Sequence, residues 1–313
     1  DEHYLKLAQF FLDMRGQEGV GNPKKYDQSH LPVTEQREAV GHAVRGAYLW
    51  TGMADIAAIT GNQDYLEAIM AIWHDVVDTK YYINGGIGAT GSGEAFGAPY
   101  ELPNMSAYCE TCAGVGNAKW NHRMFLMTGD SKFIDVLERT MYNNIMDGVS
   151  LSGDRFFYPN PLASYGQHER QAWFGCACCP PNVARFLPEM PGYIYAQQND
   201  HVFVNLYVSS ETRFVLPKGE LHLQQESTFP WEGKVLITLK NPETVPATIR
   251  LRVPGYIRNQ PVPSDLYRYP DAANGPFTLS INNTPIDYRI DEQGYVNIQR
   301  SWRKGDAIKI DFP

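Results

Sequence analysis

All five cysteines of this 313-residue chain fall in two short segments. One reads Tyr108-Cys109-Glu110-Thr111-Cys112-Ala113, and the other Phe174-Gly175-Cys176-Ala177-Cys178-Cys179-Pro180-Pro181-Asn182. Thiols gathered this tightly in an otherwise cysteine-free chain point to a soft metal site or a thiol nucleophile, because the thiolate is the form that both binds metal and attacks electrophiles. An odd count in tight clusters argues against a disulfide framework. Read as Cys109-x-x-Cys112 and Cys176-x-x-Cys179, the segments form a pair of CxxC units that suggests a four-sulfur structural zinc site, with a longer gap than zinc ribbons have. The plainer alternative is buried thiols in a tight core, since cysteine is often fully buried. That alternative explains one or two thiols better than Cys178 beside Cys179.

Carboxylates and rings accompany the thiols. Glu94 stands in the stretch 84–97, which holds six glycines and is too loose for a regular element. Taken alone it reads as a solvated loop carboxylate. His42 lies on a small-residue face where a histidine is more often a satisfied core group. Tyr158 beside Pro159 reads as packing, Glu169-Arg170 as a solvated pair, and His122 and His168 carry no assignment.

Helical periodicity must position these groups. Tyr4, Leu7, Ala8, Phe11 and Leu12 share a face, with Gly16 as a stop. A polar loop follows over 16–32. A small-residue helix is expected from about Glu35 to Gly61, and Asn62 caps the next, through Tyr65, Ile69, Ile72, Trp73 and Val76. Further helices are expected from about Ala107 to Met127, from Phe133 through Ile145 to near Gly148, and from Val183 to Gln197 despite Pro188 and Pro191. Beyond Asp200 the texture alternates, as in His201–Val208, Leu221–Gln224, Lys234–Leu239, Thr248–Val253, Gly294–Ile298 and Ala307–Ile310, which describes a β-sandwich. The expected organisation is α+β in two domains: a helical domain over 1–199 and an all-β sandwich over 200–313. Six helices in sequential antiparallel pairs make half of a twelve-helix (α/α)6 toroid, so the chain is expected to be a segment of a longer protein, with some core face left uncovered unless a partner supplies the cover.

Composition narrows the partners. A net charge of −8 and a pI near 5.5 disfavour nucleic acid and anionic membrane surfaces, which attract basic proteins. No apolar run reaches the ~20 residues of a membrane span. The 12% aromatic content suits a carbohydrate cleft or a large core. Reduced thiols favour a cytoplasmic setting; the opening on Asp1 inside a helical pattern leaves room for a removed leader, and hence for a periplasmic or secreted protein.

The run Gly41-His42-Ala43-Val44-Arg45, Glu94, Glu110-Thr111-Cys112, Tyr158-Pro159-Asn160-Pro161 and Cys176 to Asn182 resembles glycoside hydrolase family 127, the β-L-arabinofuranosidases, over nearly the whole chain. The resemblance implies a zinc ion held by Glu110, Cys112, Cys178 and Cys179, with Cys109 and Cys176 not ligands. It implies Cys178 as the nucleophile, Glu94 as the acid/base, and His42 and Tyr158 lining the sugar pocket. The family's toroid has an additional N-terminal half that this sequence lacks. The implied activity is a retaining glycosidase releasing terminal β-L-arabinofuranosyl residues from an oligosaccharide or glycoconjugate, and a homo-oligomer is compatible with it. Rival readings are a related furanosidase of different sugar specificity and a non-catalytic, zinc-stabilised carbohydrate-binding or scaffold protein. Two geometric expectations follow. Positions two apart on a regular helix face nearly opposite ways, so Glu110 and Cys112 can share an ion only at irregular backbone or a helix start. A retaining mechanism further places the Cys178 sulfur and the Glu94 carboxyl about 5 Å apart, by analogy with carboxylate pairs.

Overall fold

Two glycines of one helix decide how the helical part packs. In a computed structural model, which describes residues 1–271 and 275–313, helices α1 (Glu2–Met14), α2 (Ala43–Thr60), α3 (Gln63–Thr79) and α4 (Thr111–Thr128) precede α5 (Ser131–Thr140), α6 (Cys179–Phe186) and α7 (Pro191–Ile194). The middle of α4 lies so close to its neighbours that a Cβ on Gly114 would meet Asn144 Oδ1 at 2.1 Å, and one on Gly116 would meet the Ala47 Cβ of α2 at 2.9 Å. This close approach lets Trp50 of α2 and Trp120 of α4 bury completely, ring centroids 4.8 Å apart. Trp73 of α3 packs edge-on to Phe133 of α5 and donates its indole N–H to Asn121 Oδ1 at 2.8 Å, so a buried polar atom on each side is satisfied. Past Thr140 the chain continues through a π turn (Met141–Ile145) and a 3-10 turn (Met146–Gly148). Among the described residues no helix is long and apolar enough to cross a membrane.

The chain divides into two compact units. The first comprises residues 1–128, 133–187 and 262–267, the second 129–132, 188–261 and 268–313. The second holds two sheets. One has four strands in the order β1 (Tyr195–Gln198), β2 (His201–Val204), β6 (Val245–Arg252), β9 (Tyr295–Trp302). The other has six, in the order β3 (Ser210–Leu216), β4 (Gly219–Ser227), β5 (Lys234–Leu239), β10 (Ala307–Asp311), β7 (Thr278–Ile281), β8 (Thr284–Pro285). The β2–β6 pair is parallel and the others antiparallel. Registers such as Ile237 opposite Ile308 and Val235 opposite Ile310 keep apolar side chains on one face. With Val202, Leu223, Ile249, Leu251 and Trp302 they make one core between the sheets, as a sandwich requires.

Three expected helices have other boundaries. The helix read from about Glu35 starts at Ala43, because residues 38–42 are held extended by side chains: Gln28 Nε2 donates to Val40 O (2.8 Å) and His42 O (3.2 Å), and Lys80 Nζ donates to Ala39 O (2.9 Å). His42 is therefore not on a helix face. The helix read from about Ala107 starts at Thr111, after Cys109 takes a left-handed φ of +40°. The helix read from Val183 to Gln197 is instead α6, a 3-10 turn (Leu187–Glu189), the single turn α7 and strand β1. Pro188 and Pro191 lack the N–H donors a continuous helix needs, and Asn199, at φ +55°, turns β1 back onto β2. Strands β3 and β7 were not foreseen, although β7 alternates polar and apolar residues over its four positions (Thr278, Leu279, Ser280, Ile281) and β3 alternates in burial.

Packing at Gly114 generates a paired test. Gly114→Ala must displace Asn144, whose amide holds Cys109 O at 3.2 Å, so overpacking of about 1–3 kcal/mol outweighs the helix-propensity gain. Gly52→Ala in α2, with nothing within 4 Å of the new Cβ, is expected to stabilise by about 0.5–1 kcal/mol. Denaturant midpoints at constant slope check both.

Candidate functional site

The left-handed backbone at Glu94 fixes one half of the site. Glu94 sits at φ +51°, uncommon for a residue with a Cβ. It is over-determined by its neighbours: Ala89 N donates to Ala95 O at 2.9 Å, Ala95 N to Thr90 O at 3.0 Å, and Phe96 N to Gly41 O at 3.0 Å. The last contact and the bridge between His42 and Ala95 lay the segment beside residues 41–42. Gly41, at φ +70°, is required there, since a Cβ would stand 1.9 Å from Lys25 O. Two side chains meet as a result, with His42 Nε2 2.7 Å from Glu94 Oε2. The other carboxylate oxygen accepts from the Tyr108 hydroxyl at 2.9 Å and lies 3.4 Å from the Tyr158 hydroxyl.

The second half is assembled by two helix starts. Cys109 N donates to Gly88 O and Asn144 Nδ2 to Cys109 O, which fixes the turn before α4, while Thr111 N donates to Tyr158 O at 3.1 Å. Glu110 thus immediately precedes α4 and Cys112 is its second residue, the irregular backbone that joint ligation needs. Pro180 and Pro181 begin α6, where their missing donors do no harm, and Asn182 N donates to Cys178 O. One ligand atom each from Glu110, Cys112, Cys178 and Cys179 then lies within 4.8 Å of the others. Glu110 Oε1 is 3.6 Å from the Cys178 sulfur and 3.5 Å from the Cys179 sulfur, and the two sulfurs are 3.9 Å apart.

Those distances test whether a metal fits. In a tetrahedral zinc site with Zn–S about 2.3 Å and Zn–O about 2.1 Å, two sulfurs stand about 3.8 Å apart and a sulfur and an oxygen about 3.6 Å. The cluster matches both. Glu110 Oε2 is moreover buried with no hydrogen-bond partner, a condition that a carboxylate tolerates only if protonated or paired with a cation. Burial, then the charges of Cys112 and Glu94, push Glu110 up to about 8. Hydrogen bonds from Cys179 lead the effects that bring Cys112 down to about 7, while burial pushes Cys178 up to about 12 and the hydrogen bond to Cys112 drives Cys179 higher still. One thiolate is therefore favoured and its neighbours retain protons, so a divalent cation would displace protons from the rest. The cluster has the donors and the burial to bind a metal.

The residues expected to act together are brought together in two linked groups. Glu110, Cys112, Cys178 and Cys179 converge, and His42 and Glu94 converge with Glu110 within 4.8 Å. The Tyr158 hydroxyl joins the groups, donating to the Glu94 carboxylate at 3.4 Å and standing near enough to Cys178 for the two to influence each other electrostatically. Cys109 and Cys176 stand apart, which corrects the paired-CxxC reading: Cys109 is buried with Tyr82, Ala89 and Ala107, its left-handed backbone aiming it toward Gly86, and Cys176 is exposed. Burial pushes the Cys109 thiol far up, as for an inert core residue. Arg170 is not a solvated cation, because it donates twice to Asp147 O, at 2.6 and 3.1 Å. Tyr108 was missed; its place directly before Cys109 was the only signal. A cleft of about 700 Å³ on the six-stranded sheet, lined by residues such as Ser227, Leu236 and Lys309, contains no cysteine or histidine.

Comparison with known proteins follows the same lines. Residues 1–192 match the model of the β-L-arabinofuranosidase GH127 catalytic domain, and residues 201–313 that of the GH127 middle domain. A non-reducing end β-L-arabinofuranosidase of Bifidobacterium longum is 30% identical over 345 residues, covering 99% of this chain and 49% of that protein. A solved GH127 β-arabinofuranosidase is 50% identical with a TM-score of 0.96, covering all of this chain and 49% of the other. A GH127 β-L-arabinofuranosidase from Geobacillus stearothermophilus T6 is 36% identical with a TM-score of 0.90, covering all of this chain and 51% of the other. The chain spans about half the length of the relatives it matches.

Metal content separates the four-group cluster from the paired CxxC units. If the four-group cluster holds a divalent metal, Cys112→Ser is expected to weaken its binding at least about tenfold, whereas Cys109→Ala and Cys176→Ala leave the metal content unchanged. Elemental analysis with a competing chelator measures this, and loss of metal in both of the latter variants restores the CxxC assignment.

Proposed function

The chain belongs to glycoside hydrolase family 127, and on that premise we propose that it carries the catalytic groups of a retaining glycosidase that removes terminal β-L-arabinofuranosyl residues from an oligosaccharide or glycoconjugate. Residues 1–199 supply the chemistry; the β-sandwich of residues 200–313 contributes none of the assigned groups. The observation that carries the reading is that Glu110 belongs to both close groups, one with Cys178 and one with Glu94, so that a thiol and a loop carboxylate face one region, since a retaining enzyme needs a nucleophile and a proton donor on either side of one bond.

In the first half-reaction the Cys178 sulfur attacks the anomeric carbon as Glu94 delivers a proton to the departing glycosidic oxygen. A carbon–sulfur bond forms, the carbon–oxygen bond breaks, and the alcohol leaves neutral. In the second, the Glu94 carboxylate accepts a proton from water, the water oxygen bonds to the anomeric carbon, and the sulfur departs with its electron pair. Zinc, held by Glu110, Cys112, Cys178 and Cys179, supplies when bound the positive charge that keeps buried sulfur ionised. His42 and Tyr108 orient Glu94 by engaging one carboxylate oxygen each. Burial pushes the His42 imidazole below its ordinary value, opposed by Glu94; a neutral ring can donate to the carboxylate without adding a second charge. His42 and Tyr158 also line the sugar pocket.

Two substitutions test the assignment. Cys178→Ser, with metal content unchanged, is expected to abolish turnover of a β-L-arabinofuranoside, and full turnover in that variant would show a scaffold role for the cluster. Glu94→Gln is expected to lower kcat about 10²–10⁴-fold on an alkyl glycoside, with a much smaller loss of the sugar-transfer step on a nitrophenyl glycoside, whose leaving group needs no proton. Pre-steady-state release of nitrophenol measures that step.

A further inference from the structure

Tyr158 does not hold its own position: the backbone around it is clasped from a neighbouring loop. The segment carrying it is paired at one end, where Phe156 and Gln171 exchange hydrogen bonds of 2.8 Å. Between those ends the Phe157 ring has two partners. The Arg170 guanidinium carbon lies 4.4 Å from its centroid, and the His168 imidazole is stacked on it at 4.8 Å with an interplanar angle of 11°. Each partner is itself tied down. Arg170 donates through Nε and Nη2 to Asp147 O, and a ring nitrogen of His168 lies 2.9 Å from Pro159 O. The residues anchored are thus Phe157 and Pro159, those on either side of Tyr158. From the other side, Phe157 N donates to Gly148 O and Thr111 Oγ1 donates to Phe157 O.

We infer that Arg170 and His168 are positioning residues that set the Tyr158 hydroxyl against the Glu94 carboxylate, on the side of the site that holds Cys178, by clasping Phe157. Neither touches the reacting groups. Their aromatic and guanidinium planes fix a ring whose neighbour in sequence places its hydroxyl on the Glu94 carboxylate. A planar guanidinium with two donors aimed at one carbonyl is not replaced by an ammonium. Arg170 and His168 are two residues apart in an otherwise exposed loop, so the clasp is supplied by a segment that ends a few residues before the Cys178 strand of chain. The inference rests on the proposed glycosidase reading for one of its two measurements only.

The test is a double-mutant cycle between Arg170→Met and Tyr158→Phe. On a β-L-arabinofuranoside, Arg170→Met is expected to lower kcat about tenfold or more with KM within about twofold, and to cause no further loss in the Tyr158→Phe background. The second measurement needs no substrate: the rate at which iodoacetamide alkylates Cys178, localised by mass spectrometry in a Cys176→Ser background. Tyr158→Phe removes the hydroxyl facing that sulfur and changes the rate; Arg170→Met is expected to reproduce the change, and the double variant to add nothing. Glu169→Ala, at the exposed position between the two clasping residues, should leave both measurements unchanged. Independent, multiplying effects of Arg170→Met and Tyr158→Phe, or a Cys178 rate that responds to Tyr158→Phe alone, overturn the inference. Absence of turnover in the unsubstituted protein overturns the glycosidase reading instead, while the alkylation cycle still decides the clasp.

Discussion

A carboxylate removed from water has to find either a proton or a cation, and the Glu110 side chain, 2% exposed with one oxygen unpartnered, finds three sulfurs instead. Sulfurs relieve it only weakly as donors and oppose it when ionised. The local arrangement can therefore be relieved in two ways, by protons distributed among the four groups or by a positive ion at their centre. Much of the surrounding fold can be understood as holding those four groups at one point despite that mutual repulsion. Helix α4 begins one residue after Glu110, helix α6 begins at Cys179, and the Asn182 side chain ties the second to α2 through the Tyr48 hydroxyl at 3.0 Å.

The adjoining carboxylate is held by a different device. Glu94 and Cys109 both occupy left-handed backbone, each unfavourable by roughly 1–3 kcal/mol, and both are kept there by main-chain bonds to segments on either side. Behind them is a shell of buried polar groups. Lys80, 3% exposed in its side chain, contacts Asp75 at 2.9 Å and Glu38 at 3.0 Å and donates to Ala39 O, while Gln36 Nε2 donates to Gln28 O at 2.8 Å. These groups extend residues 38–42 and bring His42 against Glu94. Rigidity at the chemistry thus comes from side chains that never approach it.

How far the sequence foretold this differs from residue to residue. Helix α3 was legible because Asn62 caps it and Tyr65, Ile69, Ile72 and Val76 follow one stripe; Asn62 Oδ1 does accept from Asp64 N and Tyr65 N. The β region was legible wherever one sheet face is buried, as in β5 and β10. The motif Cys178-Cys179-Pro180-Pro181 announced both sulfur and a helix start. His42 was misplaced onto a helix because nothing local shows that Gln28 and Lys80 compete for the backbone carbonyls before Ala43. Arg170 was read as solvated because its partner, Asp147 O, is a main-chain atom 23 residues away. Tyr108 was passed over since its contact with Glu94 depends on a turn at Cys109 that only tertiary contacts create. The errors share a cause: side-chain to main-chain bonds over long sequence distances leave no periodicity.

The same distances carry a consequence for how the protein is made. Glu110 and the paired sulfurs of Cys178 and Cys179 meet across 68 and 69 residues of intervening chain. Closing a loop of that length is an entropic step that precedes any reward from the contacts it allows. On a nascent chain Glu110 and Cys112 emerge well before Cys178, and during that interval the first pair presents only half a binding set. A cation that needs all four groups could be captured only after α6 docks, which would make ion binding a late event of biogenesis.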